Sequence, residues 1–137
     1  MQKTLTILKP DTVQAGHAGA VINELEKAGF RIRAMKTIHL TEAQAQGFYY
    51  VHKERPFFGS LVTFMTEGPV VMMVLEAENA IEKLRKVMGA TDPAKADAGT
   101  IRKQFGSNIE RNAIHGSDGP DTAAFEISYF FNQLEIV

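Results

Sequence analysis

The chain has 137 residues, enough for a single domain spanning 1–137 that buries roughly two-thirds of the surface its unfolded form exposes. Its 15 Lys and Arg against 16 Asp and Glu leave a formal charge of -1, which excludes a global positive field that would gather nucleic acid or an anionic membrane. With no cysteine there is neither a disulfide framework nor a thiolate metal site, a composition suited to a reducing cytoplasm.

Met1-Gln2-Lys3 runs straight into the alternating Thr4-Leu5-Thr6-Ile7-Leu8 without the zones of a signal peptide, so a cytoplasmic location is expected. Residues 3 to 8 read as a buried strand. A helix with an apolar stripe at Val21, Ile22, Leu25 and Ala28 follows and stops at Gly29. From Arg31 the pattern alternates through Ile32, Ala34, Thr37 and Ile38, and Thr41 then caps a helix that has Glu42 and Ala43 in its first turn. Pro56 interrupts the helical region. Beyond it Phe57, Phe58, Leu61, Phe64 and Met65 recur at helical spacing until Gly68-Pro69, which predicts a helical hairpin with Phe58 as the buried aromatic.

Val70 to Glu76 is β-branched and apolar without a break, as a central strand would be, and its apolar run is far short of the roughly 20 residues that span a membrane. Asn79 is placed to cap a helix ending near Met88, with Gly89 as its stop. Thr91 to Gly99 reads as an exposed loop, 101–105 as a turn of helix and Asn112 to Ser117 as a short last strand. Pro120 then opens a helix with a stripe at Ala124, Ile127 and Phe131. This order predicts an α+β fold, the ferredoxin-like βαββαβ arrangement with a four-stranded antiparallel sheet and added helices.

The stretch Asn112-Ala113-Ile114-His115-Gly116-Ser117-Asp118 draws the eye to chemistry. A glycine after His115 leaves room for a bulky reactant, and Ser117 and Asp118 offer hydrogen bonds to orient the ring. On these residues alone a turn histidine without chemistry is an equally good reading. His17, His39 and His52 have no supporting context and are given no role. No Gly-x-x-x-x-Gly-Lys-[Ser/Thr] loop is present, so any phosphate must be held by side chains.

Five further blocks accompany the histidine segment: Lys9-Pro10-Asp11, Arg55-Pro56-Phe57-Phe58, Gly68-Pro69-Val70, Gly89-Ala90-Thr91-Asp92-Pro93-Ala94 and Gly99-Thr100-Ile101-Arg102. Together, and in this order from residue 4 to 131, the chain resembles the nucleoside diphosphate kinase family, in a short bacterial-type form. The resemblance implies exchange of a terminal phosphate between nucleoside triphosphates, ATP among them, and nucleoside diphosphates through a phosphorylated His115, with Mg2+ carried mainly by the nucleotide. An imidazole nitrogen with a free lone pair can attack phosphorus without a base to strip a proton first.

The same resemblance implies that Glu126 holds the other ring nitrogen and that Ser117 orients Glu126. Lys9, Arg85 and Arg102 would neutralise the phosphates, with Thr91 adding a hydroxyl and Tyr49 standing beside Lys9. Phe57 and Ile109, with Leu61 nearby, would clamp the base by its faces alone and so accept every base. Lys9 and Asn112 would contact the sugar. A homo-oligomer is implied, with a tetramer or hexamer favoured over a dimer. No membrane or nucleic-acid partner is expected.

Two departures stand out: Thr12, where the family more often has a small residue, and the glycine-rich Gly16-His17-Ala18-Gly19. Neither falls on a site position. The rival reading from another class is a non-catalytic nucleotide-sensing module, which predicts loss of His115, Glu126, Lys9 or Arg102, and all four are present.

Overall fold

A computed structural model describes every residue, Met1–Val137. Strands β1 (Gln2–Leu8), β2 (Arg31–Ile38), β3 (Val70–Ala77) and β4 (Ile114–Gly116) form one antiparallel sheet in the order β2-β3-β1-β4. Helices α1 (Pro10–Gln14) and α2 (Ala18–Lys27) join β1 to β2, and α3 (Glu42–Phe48) and α4 (Phe58–Met65) lie between β2 and β3. Helices α5 (Ala80–Met88) and α6 (Ile101–Phe105) lead to β4, and α7 (Pro120–Phe130) follows it. This is the ferredoxin-like α+β fold, whose own helices are α2 and α5; α1, α3, α4, α6 and α7 are additions.

Those additions explain why β3 is apolar without alternation. Val70, Met72 and Val74 join Leu5, Ile7, Phe48, Val62, Met65 and Phe130 in a core on one face of the sheet. Val71, Met73 and Leu75 join Val21, Leu25, Leu84, Met88 and Ile114 in a core on the other. Strand β3 is therefore covered on both sides, and a polar residue in its middle would have no water to face.

Several local expectations need correcting. Pro10 at the first helical position and Asp11 in the first turn start α1, a helix too short for any periodicity to show. Asn79 does not cap α5 with its side chain. It takes a left-handed backbone (φ 49), and the Gln2 side-chain oxygen accepts from the Ile81 N–H at 3.0 Å instead. The buried stripe of α7 is Ala123 and Phe130, with Ile127 partly covered, whereas Ala124 is exposed and Phe131 is buried just past the helix end. Strand β2 carries a bulge between Ile32 and Ala34, which is why its apolar residues do not keep strict alternation.

Thr41 does cap α3: its hydroxyl accepts from the Gln44 N–H at 3.1 Å and the Gln44 side chain accepts from the Thr41 N–H at 2.9 Å. Gly29 ends α2 in the left-handed region at φ 97.

Gly116 is needed for packing. His115 and Gly116 are neighbours in a strand and face opposite sides of the sheet. A Cβ on Gly116 would lie 2.6 Å from Met88 Sδ and 2.9 Å from Leu84 Cδ2, so the glycine lets β4 press against α5. Gly116→Ala is expected to destabilise the chain by about 1–3 kcal/mol through overpacking, read as a lower urea midpoint at unchanged slope.

Candidate active site

Strand β1 ends where the chemistry begins. Past Leu8 the Lys9 N–H donates to the Ala113 carbonyl at 2.9 Å, extending the β1–β4 pairing by one bond. Ala113 has φ 76, and the Ile114 N–H donates to the Asn112 carbonyl at 2.9 Å, so Ala113 sits at the centre of a γ-turn of the rare positive-φ kind. A non-glycine residue held there stores on the order of 1–3 kcal/mol and needs the surroundings to over-determine it. They do so: the Ala113 N–H donates to Asp11 Oδ2 at 3.1 Å and the Ala113 carbonyl also accepts from the Thr12 hydroxyl at 2.9 Å.

Two residues on, His115 faces the core side that carries α3 and α7. Its Nε2 lies 2.8 Å from Glu126 Oε1 on α7, and the Ser117 hydroxyl donates to the same oxygen at 2.8 Å. A carboxylate only accepts, so Nε2 carries the proton and Nδ1 keeps its lone pair, with no protein partner. Ser117 is fully buried and is fixed in turn by β1, where the Leu5 N–H donates to its Oγ at 3.3 Å. The Phe48 ring stands edge-on to the imidazole at 5.4 Å between centroids. Ser117 thus meets the ring only through Glu126. Asp118 does not touch the ring: it pairs with Arg85 at 2.7 Å.

The predicted cations gather on one side of this histidine. Arg102 is buried, and its guanidinium donates to the carbonyls of Gly89 at 3.2 Å and Ile114 at 2.8 Å, leaving Nε without a partner. Burial first, and then repulsion from Arg85, lower its pKa to about 10. Lys9, 7% exposed, donates through Nζ to Asn112 Oδ1 at 2.7 Å. Asn112 uses both amide hydrogens on the carbonyls of Thr91 and Ile109, at 3.0 and 3.1 Å. Only lone pairs on its oxygen remain for a ligand. Tyr49 is buried with no partner for its hydroxyl, and lost solvation together with the nearby Glu126 charge pushes its phenol well above the ordinary range.

A cleft of about 210 Å³ joins Tyr49, Arg85, Thr91, Arg102, His115 and Glu126. Lys9, Asn112 and Ser117 are buried and do not line it. Phe48, Val51, His52, Gly116, Asp118 and Thr122 also line it. No motif marks Phe48, Val51 or His52; Phe48 comes from the end of α3, and the short helical turn Tyr50–His52 brings Val51 and His52 there. A wider depression of about 510 Å³ beyond Arg85 and Asp118 contains neither the histidine nor a buried cation.

Phe57, Leu61 and Ile109 lie outside that lining. Phe57 is 46% exposed and Ile109 64%, while Leu61 and Phe58 pack partly against the core. The Ser60 hydroxyl donates to Glu110 and Arg111 pairs with Glu67 at 2.6 Å, so α4 and the turn bearing Ile109 are tied to each other on either side of the two exposed apolar side chains.

The Lys9 amine is lowered from 10.5 to about 8, chiefly by burial and secondarily by Arg102, with Asp11 and Glu110 pulling the other way. Between about 8 and 10.5 the folded chain therefore holds fewer protons than the unfolded one. Stability contributed at Lys9 rises with pH across that window, and the full penalty for burying the ammonium is present below it. The native chain is expected to gain at most ~3 kcal/mol over this interval relative to Lys9→Met, whose slope is flatter, as followed by urea unfolding at stepped pH.

Comparisons with known proteins point to one family. A family model described as nucleoside diphosphate kinase matches residues 2–136. The chain is 60% identical over 137 residues to the nucleoside diphosphate kinase of Geotalea uraniireducens, covering 100% of both. It is 61% identical to that of Desulfosudis oleivorans, covering 100% of this chain and 99% of the relative. Among solved structures, the Aquifex aeolicus nucleoside diphosphate kinase superposes with a TM-score of 0.97 at 46% identity, over 99% of each chain. A halophilic nucleoside diphosphate kinase from Halobacterium salinarum, in complex with CDP, superposes with a TM-score of 0.95 at 40% identity, over 99% of this chain and 91% of its own. With sequence and fold in agreement over the whole length, this chain belongs to the nucleoside diphosphate kinase family.

Proposed function

We propose that this chain, a nucleoside diphosphate kinase, passes phosphate between nucleotides on Nδ1 of His115, with residues 1–137 acting as one domain. The observation that carries the reading is the Ser117–Glu126–His115 chain, which leaves one ring nitrogen with a lone pair beside a buried arginine held by carbonyls alone. In the first half-reaction Nδ1 forms a bond to the terminal phosphorus of a nucleoside triphosphate while the bond to the bridging oxygen breaks, and the diphosphate leaves. In the second, a terminal oxygen of another nucleoside diphosphate attacks the phosphoramidate, and His115 is returned with its lone pair. Glu126 accepts the Nε2 proton's hydrogen bond throughout and stabilises the positive charge that gathers on the ring as the N–P bond forms.

The transferring group is loose and carries its charge on its equatorial oxygens, so fixed cations do most of the remaining work. Arg102 and Arg85 are assigned to the phosphates, with the Thr91 hydroxyl, and the unpartnered Arg102 Nε and Tyr49 hydroxyl are donors that a polyanion would satisfy. Lys9 serves as a point charge nearby, and the remaining Asn112 lone pairs suit a sugar hydroxyl. Magnesium enters as part of the substrate. Of the two carboxylates lining the cleft, Glu126 is committed to His115 and Ser117, which leaves at most Asp118, released when phosphate takes its place on Arg85, so the nucleotide's phosphates are the main ligands of the metal. Phe57 and Ile109, with Leu61 behind, are assigned to the base, and CDP in the Halobacterium relative is a ligand of the size this requires.

A homo-oligomer, tetramer or hexamer, also belongs to this reading. Its support is the outer edge of β2, which pairs with β3 on one side only and shows Met35 at 54% exposure. No helix is long and apolar enough to cross a membrane, and a cytoplasmic location is proposed.

Incubation with magnesium and ATP labelled at the terminal phosphate is expected to place acid-labile label on His115 and to release it to added GDP. His115→Ala is expected to abolish both steps, and Glu126→Gln to slow phosphorylation by about tenfold or more, since the ring loses its oriented tautomer. Native protein that binds nucleotide but never takes label would be a sensing module instead, and label that no nucleoside diphosphate removes would mark a phosphocarrier.

A further inference from the structure

Thr12 lies in the middle of α1 and is 1% exposed. Inside a helix a threonine hydroxyl commonly folds back on a carbonyl of the preceding turn. This one reaches across 101 residues to the Ala113 carbonyl, at 2.9 Å. That carbonyl is already satisfied by the Lys9 N–H at the same distance, so the hydroxyl is not there to rescue a buried orphan. Its effect is directional. Two donors from α1's entrance converge on one oxygen and fix the plane of the peptide that follows Ala113.

That plane is the lever of the site. On its near side Asn112 holds Lys9 Nζ at 2.7 Å and the Thr91 carbonyl at 3.0 Å. On its far side the Ile114 carbonyl holds the Arg102 guanidinium at 2.8 Å, and His115 follows directly. Any rotation of the peptide would swing the nucleophile and its principal cation together, and the positive φ of 76 at Ala113 means the turn has a relaxed alternative to fall into.

We propose that Thr12 is a positioning residue for phosphoryl transfer: its hydroxyl clamps the γ-turn at Ala113 and so sets the aim of His115 and Arg102 at the transferring phosphate. The proposal rests on His115 being the nucleophile. It makes Thr12, set aside in the sequence as a departure outside the site, part of what keeps the site in register.

The test compares Thr12→Ser with Thr12→Ala, which both lose the methyl group and differ only in the hydroxyl. Single-turnover phosphorylation of His115 is followed at saturating magnesium–ATP, and the dissociation constant for ADP is measured on the same preparations. Thr12→Ser is expected within about twofold of the native rate, and Thr12→Ala about tenfold slower, with ADP affinity changed less than about threefold in either. Equal rates for the two variants, whether both fast or both slow, would overturn the proposal in favour of simple packing, as would a loss that lies wholly in affinity. Should Thr12→Ala not fold, the near-isosteric Thr12→Val takes its place with the same thresholds. Absence of phosphohistidine in the native chain would overturn the His115 reading itself, independently of how the variants compare with each other.

Discussion

Three residue pairs between β1 and β4, Thr6 with Gly116, Ile7 with His115 and Leu8 with Ile114, are the attachment on which the site depends. Strand β4 is too short to hold itself. It is secured by the Thr6 hydroxyl on the His115 carbonyl at 2.7 Å and by Ser117, whose N–H donates to the Leu5 carbonyl at 3.2 Å. The inner strand β1 is buried on both faces between two cores, so the histidine is displayed from the most rigid part of the molecule. Loops carry many catalytic groups, but a nucleophile of the kind proposed for His115, which must meet phosphorus within a few tenths of an ångström, gains from a strand whose neighbours cannot yield.

Electrostatics in the cleft follow from the kind of partner each cation has. Arg102 is held by carbonyl dipoles and Lys9 by an amide oxygen, so both are oriented without being neutralised. Burial lowers both proton affinities, helped by Arg102 at Lys9 and by Arg85 at Arg102. A folded chain in this state is less stable than one with apolar groups at those positions, and an arriving polyanion relieves the strain. Arg85 differs: its partner Asp118 is largely exposed, and a pair in such surroundings is weak enough to be exchanged for phosphate.

How much of this the sequence reveals depends on the range of the interaction. Helices with long periodic stripes or a cap such as Thr41 are readable because their causes are local. The two-sided burial of β3 shows in its unbroken apolarity. Asn79 misleads because its usual capping role is taken by Gln2, 79 residues from the Ile81 N–H it accepts from. Gly116 can be read as open space beside the histidine, but its close packing against α5 is a long-range contact that nothing near it in sequence announces. At the site, His115, Glu126, Lys9 and Arg102 stand out through family motifs, whereas Phe48, Val51 and His52 enter the cleft only through where α3 ends and the path the chain then takes. Thr12 is the clearest case: nothing near it in sequence announces a partner at Ala113.

In the proposed base site the exposed Phe57 and Ile109 would offer a base nothing except apolar surface. A grip of that kind has no means of ranking purines against pyrimidines by their edges, and the bonds broken and made in the two half-reactions are nearly equal in energy. The direction of net exchange then belongs to the surrounding solution. Whichever triphosphate is in excess becomes the donor, and the protein acts as a common coupling that lets all the nucleotide pools share one phosphorylation potential.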